Sequence, residues 1–215
     1  MTDQSLKQTV VDELVWDPSV NEAHIGVTAR SGVVTLTGHV GSYAEKHAAE
    51  QAAGRVSGVQ AIADELEIRY LYAVGHGDED IAKQALNVLS WDLAVPNEKV
   101  KVKIDKGWVT LSGDVDWYYQ KNAAESDVRK LLGVMGVSNQ IVIKPSVQAS
   151  DVQKKIKAAF ERNADVEAAK IVVATDGSKV TLSGQVDSYY QRTLAENTAW
   201  SAPGVTHVHD HITVN

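Results

Sequence analysis

The 215-residue chain contains no cysteine, so disulfide frameworks, thiolate metal sites and cysteine nucleophiles are excluded. No stretch approaches the ~20 consecutive apolar residues of a membrane-spanning helix. The opening residues, MTDQSLKQTVVDELVW, carry acids and no basic segment ahead of an apolar run, unlike a secretory leader. From Met1 onward the expected location is therefore cytoplasmic, or periplasmic if the chain is a processed or truncated form. A basic excess is also missing. The formal net charge is −7, so no field exists that would favour nucleic acid as a partner. Catalytic patterns are absent too: there is no G-x-S-x-G, no phosphate-binding loop, no Rossmann glycine run and no H-E-x-x-H. The carboxylates are scattered over helices and turns, which predicts a protein without enzymatic activity. What remains is ordinary globular material, 44% hydrophobic and 23% charged, enough for one core or several small ones.

That material is arranged in a repeat. Three heptapeptides nearly coincide: VTLTGHV at 34–40, VTLSGDV at 109–115 and VTLSGQV at 180–186. Gly113 lies 75 residues after Gly38, and Gly184 lies 71 after Gly113. The same shifts align Leu6 with Ile81 and Val152, and a Gly-Val pair at Gly58, Gly133 and Gly204. The predicted modules span 1–72, 76–145 and 148–215. Short connectors, Leu71–Gly77 and Lys144–Gln148, predict that they pack on one another.

Each copy predicts the same order of elements. Leu6, Val10 and Leu14, then Ile81, Ala85 and Leu89, then Val152, Ile156 and Phe160 recur at helical spacing. Asp78, and Ser150 with Gln153, mark helix starts. An alternating strand follows, clearest over Lys99–Ile104, then a turn at Ser31-Gly32, Lys106-Gly107 or Asp176-Gly177, and the VTL(T/S)G strand as the second arm of a hairpin. Ser42 with Glu45, and Ser188 with Gln191, open a second helix rich in alanine. A last strand carries Ile62/Leu66/Ile68, Val137/Ile141/Ile143 or Val208/Ile212/Val214. The fold class is α+β: three tandem α-β-β-α-β modules, each with two helices on one face of a three-stranded mixed sheet.

This order, with the hairpin glycines Gly32 and Gly107, the L-(T/S)-G-x-V run, the Gly-Val pair and Asp64/Asn139/Asp210 in the last strand, resembles the BON module of osmotically induced and nodulation proteins. All three copies match, so the resemblance covers nearly the whole chain. It implies osmotic or envelope-stress protection, phospholipid binding through a helix of one module, and no catalysis. A cytosolic relative of that family binds potassium.

Positions shared by the copies favour structural roles. Gly38, Gly113 and Gly184 interrupt strands, where glycine marks a bulge or a close backbone approach; Gly58, Gly133 and Gly204 precede the last strand. Asp64, Asn139 and Asp210 fall at an inward position and need a partner, either a backbone group or a bound cation. His207, His209 and His211 share one strand face; solvated side chains and a Zn²⁺ or Ni²⁺ site are the two readings. Aromatic residues cluster after the second hairpin strand, Trp117 and Tyr118 among them, suited either to packing between modules or to a membrane or ligand contact. Charge is uneven. Module 1 has 5 basic and 10 acidic residues, module 2 has 9 and 10, and module 3 has 7 and 8. An anionic partner is thus expected at modules 2 and 3, through Lys99, Lys101, Lys103 and Lys106 or through Lys154, Lys155 and Lys157.

The sequence thus predicts a non-catalytic stress-protection protein that binds anionic phospholipid or a protein partner and needs no cofactor. Two alternatives stand beside it: a cytosolic sensor of potassium or another cation, and a homo-oligomer assembled through sheet edges.

Overall fold

A computed structural model describes residues 1–70, 77–144, 151–163 and 170–215. The connectors at 71–76 and 145–148, and Ser150, lie outside them. Within them the order α-β-β-α-β appears three times. Module 1 comprises α1 (Asp3–Trp16), β1 (Ile25–Arg30), β2 (Val33–Val40), α2 (Tyr43–Arg55) and β3 (Ala61–Ile68). Module 2 comprises α3 (Asp78–Trp91), β4 (Val100–Asp105), β5 (Trp108–Val115), α4 (Tyr118–Arg129) and a divided last strand, β6 (Gly136–Asn139) and β7 (Val142–Ile143). Module 3 comprises α5 (Val152–Arg162), β8 (Ile171–Asp176), β9 (Lys179–Val186), α6 (Tyr189–Trp200) and β10 (His207–Val214). The chain divides into two compact units. One holds Met1–Val40, Glu45–Glu67 and Gln148–Asn215; the other holds Gly41–Ala44 and Ile68–Val147.

The second hairpin arm is central in every sheet, with orders β1-β2-β3, β4-β5-β6 and β10-β9-β8. β4 and β8 pair with it antiparallel, whereas β6, β7 and β10 run parallel to it, as a helical crossover permits. The hairpin turn also anchors the last strand: the carbonyls of Gly32, Gly107 and Ser178 accept from the N–H groups of Gln60, Met135 and Thr206.

One apolar face explains the core. In module 3, Val152, Ile156 and Phe160 of α5 and Ala195 and Ala199 of α6 cover Val173, Val180, Leu182 and Ile212 of the sheet. Phe160 is 1% exposed, and a side chain of that size contributes up to about 3 kcal/mol by leaving water. The alanines bring the second helix close to the sheet, with Ala49, Ala53, Ala124, Ala195 and Ala199 all fully buried.

Gly113 shows why its position must be glycine. Its φ is +122°. A Cβ there would overlap the carbonyl oxygen of Lys99 across the hairpin. Gly38 and Gly184 stand in the same relation to the carbonyls of His24 and Lys170. Gly58, Gly133 and Gly204 sit in the turn before the last strand.

Several local expectations need correction. The last strand of module 2 is not continuous: β6 ends at Asn139 and β7 resumes at Val142, both parallel to β5. The Gln153 amide donates to Val173 O, and Asp151 stands at the N-cap position of α5 with φ +53° and no side-chain cap hydrogen bond. Asp78 begins α3 but spends its carboxylate on the hairpin turn, accepting from the N–H groups of Lys106 and Gly107. Asp3 does the same for Ser31 N–H.

A carboxyl pair in module 2 sets a pH dependence. Asp127 Oδ2 is buried with no hydrogen-bond partner among the described residues. Burial pushes the Asp127 carboxyl up from the usual range, and the neighbouring Asp92 adds to the rise. A group raised in the folded state favours folding below its unfolded pKa, and that contribution is lost as pH rises through the folded value. Asp127→Asn is therefore expected to stabilise the protein by about 1 kcal/mol at neutral pH and by nothing near pH 3. Urea unfolding at the two pH values checks this; equal effects at both would contradict it.

Candidate functional site

The repeated polar position in the last strand belongs to a larger repeated group. Asp64 Oδ1 accepts from Leu66 N–H at 2.9 Å, Asn139 Oδ1 from Ile141 N–H at 3.2 Å, and Asp210 Oδ1 from Ile212 N–H at 2.8 Å. The other end of each side chain faces the second helix. Lys46 Nζ lies 2.9 Å from Asp64 Oδ2 and donates to Leu66 O at 2.7 Å. Arg192 Nε lies 2.6 Å from Asp210 Oδ2. In module 2, Asn139 Nδ2 donates to Lys121 O and to Glu125 Oε2, both at 3.0 Å, while Lys121 Nζ donates to Ile141 O at 2.9 Å.

Lys46, Lys121 and Arg192 are equivalent under the shifts of 75 and 71, and so are Glu50, Glu125 and Glu196. A base and a glutamate one helical turn apart thus clamp each second helix to each last strand. Of this group, the sequence pattern singles out the Asp/Asn position but not its partners. The signal was there, since the same shifts that align the glycines align one base and one glutamate. A bound cation at Asp64 or Asp210 would have to displace the chain's own ammonium or guanidinium.

The clamps differ in charge. Modules 1 and 3 each set one cation against two carboxylates: Lys46 with Glu50 and Asp64, and Arg192 with Glu196 and Asp210. Module 2 replaces an aspartate by Asn139, and its Glu125 also accepts from Arg129 at 2.7 Å. Burial raises Asp64, but contacts with the Glu50 carboxyl, the Lys46 ammonium and Leu66 N–H hold it below the ordinary carboxylate range. The hydrogen bond to Asp210 raises Arg192 against its burial. Burial lowers Lys121, with Glu125 opposing.

The basic candidates separate. Lys101 and Lys103 are exposed on β4, an edge strand, opposite Ser112 and Thr110 on the sheet face away from the helices. Lysines there also discourage edge-to-edge aggregation. Lys99 is partly engaged, 3.4 Å from Asp116, and Lys106 occupies the hairpin turn with φ +51°. Lys154, Lys155 and Lys157 are exposed on α5, in the other compact unit.

Of the aromatic residues, Trp117 and Tyr118 are half-buried at the start of α4. Trp16 and Trp91 are 82% and 80% exposed and so lie outside any core. Tyr189 packs on α2, where a Cβ on Gly54 would lie 3.3 Å from its ring. Nearby, Ser57 Oγ and Gly58 N–H both donate to Asp187 O, so modules 1 and 3 meet directly.

His207, His209 and His211 are exposed on β10, opposite Lys179, Thr181 and Ser183. The strand rise sets alternate residues about 6.5 Å apart. Among the described residues no group of three or more His, Asp or Glu side chains is gathered as a metal site. No helix of the described residues is long and apolar enough to cross a membrane.

Comparison with known proteins agrees with the repeat. The BON domain family model matches residues 2–70, 77–145 and 148–215. The chain is similar to the osmotically-inducible protein Y of Escherichia coli K12, 33% identical over 151 residues that cover 67% of this chain and 74% of that protein. Among solved structures it is similar to CdsD, a structural protein of the type III secretion system of Chlamydia trachomatis, with a TM-score of 0.27 and 16% identity over 98% of this chain and 92% of that one.

Proposed function

The chain belongs to the BON domain family, in three consecutive copies, and from that premise we propose that it is a non-catalytic protein of the osmotic-stress response that acts by binding anionic phospholipid surfaces. The observation that carries this reading is the match of all three modules to one family, together with an osmotically inducible relative at 33% identity. The physical support is local. The chain as a whole is acidic, yet Lys101 and Lys103 stand together on the helix-free face of the module 2 sheet. Basic side chains beside an anionic membrane contribute about 1 kcal/mol each, within a Debye length of the surface.

A row of clamped acidic pairs, by contrast, offers little to potassium, since Lys46 and Arg192 already fill the carboxylates that recur in the last strand. Vesicle co-sedimentation tests the lipid reading. The full chain is expected to pellet with phosphatidylglycerol vesicles, to stay in solution with phosphatidylcholine vesicles, and to be released by salt. Lys101→Glu combined with Lys103→Glu is expected to weaken the association by roughly 30-fold or more. Equal pelleting with both lipids, or an unchanged double variant, would overturn it and favour a protein partner.

A further inference from the structure

We propose that the cleft where modules 1 and 3 meet is a binding site for a small organic ammonium ion. The cleft has a volume of about 520 Å³, the size of pocket that encloses a small organic molecule. One wall is α2, contributing Glu50 and Gly54; the other is α6, contributing Tyr189, Tyr190 and Glu196; Ile62 of β3 supplies apolar floor.

Three features point to a cation with an apolar body. First, both glutamates belong to clamps, so a carboxyl group from module 1 and one from module 3 line the same cleft. Second, the position that carries Arg129 beside Glu125 in module 2 is Gly54 in module 1 and Trp200 in module 3. The base that satisfies the glutamate of module 2 is therefore missing from both cleft walls. Among the described residues Glu196 accepts from the Trp200 indole N–H at 3.3 Å and shares the Arg192 charge with Asp210, while Glu50 lies 3.5 Å from His47 and contacts Asp64. Gly54 lets the Tyr189 ring pack directly on α2, where a Cβ would lie 3.3 Å from it. Third, the Tyr189 and Tyr190 rings remain 39% and 43% exposed beside these carboxylates. Aromatic faces beside carboxylates attract ammonium groups, and quaternary ones most selectively because little hydration must be removed.

Arg55, the one arginine on the lining, does not cancel this charge. It is held by Glu13 at 2.7 Å and by Asp17 at 2.8 Å, and the Ser19 hydroxyl and the Arg55 guanidinium hold Asp17 down at about 2. The site is thus distinct from the lysine face assigned to lipid, and either can fail without the other.

Calorimetric titration of the full chain with choline chloride, at fixed low ionic strength, tests the assignment. Saturable binding is expected, at least roughly tenfold tighter than for the neutral isostere 3,3-dimethylbutan-1-ol. Tyr190→Ala and Glu196→Gln are each expected to weaken choline by about fivefold or more, with the circular dichroism of the chain unchanged. Because Glu196 also belongs to a clamp, Thr193→Trp, on the exposed face of α6, serves as an independent variant that fills the cleft and should abolish the heat. Competition by soluble glycerophosphocholine would identify the ligand as a lipid head group, and no competition would identify a free ammonium solute; both keep the cleft. Absence of saturable heat, equal binding of the alcohol, or choline affinity unchanged in the Tyr190 and Thr193 variants would overturn it.

Discussion

Gly184→Ala is expected to lower the stability of module 3 by about 3 kcal/mol or more. Two costs add. A φ of +134° is strained for any residue with a Cβ, and the added carbon overlaps the carbonyl of Lys170, the residue just before β8. The overlap is with backbone on both sides, so no rotamer relieves it, and β8 must move away from β9. Gly177→Ala is the control. Gly177 is also left-handed, with φ +57°, but nothing lies within 4 Å of its Cβ position. That variant should cost only about 1 kcal/mol. Thermal unfolding followed by tryptophan fluorescence reads both, and the first should fall by roughly 12 °C or more against a few degrees for the second. Equal shifts would show that backbone strain alone, and not the approach of two strands, fixes the glycine.

Removing the base from a clamp should come next in size. Arg192→Ala is expected to cost roughly 2–3 kcal/mol, because it strands Asp210, whose side chain is only 10% exposed, without its cation. The figure sits below that of a fully buried pair because the Arg192 side chain is 36% exposed and partly screened. Asp210→Asn should cost less, about 1 kcal/mol, since an amide still accepts from Ile212 N–H and can donate to Glu196. Module 2 already uses that solution, with Asn139 bridging Ile141 N–H and Glu125. A double-mutant cycle over Arg192 and Asp210, read by urea unfolding, should return a coupling of at least ~1 kcal/mol. A coupling near zero would mean that the ion pair only decorates a helix already held by its alanines.

The lysine row shows how much of the candidate surface could be read early. Alternation in Lys99–Ile104 fixes which side chains share a face, because the period of a strand is two. It does not fix which face is covered, or that Lys99 reaches Asp116 while Lys101 and Lys103 remain exposed. The clamp was legible in principle, since its members keep register with the glycines. It went unread because an exposed-looking Lys or Glu on an alanine-rich helix has the same local pattern whether it meets solvent or a strand. The cleft had no local signature at all. Glu50 and Glu196 are 146 positions apart, and only the meeting of modules 1 and 3 puts them on one cavity.

Sequence alone determined the threefold repeat, the order of helices and strands within each copy, the apolar stripes and the glycines that interrupt the central strands. These follow from short-range causes: helical and strand periods, and the intolerance of a side chain at positive φ. Tertiary structure decided the rest: the break in the last strand of module 2, the partners of Asp64, Asn139 and Asp210, and the pairing of the first module with the third rather than with its neighbour in sequence within one compact unit. Those outcomes depend on which surfaces of separately folded modules exclude water together, a quantity set by shape and charge across long chain separations and carried by no local pattern.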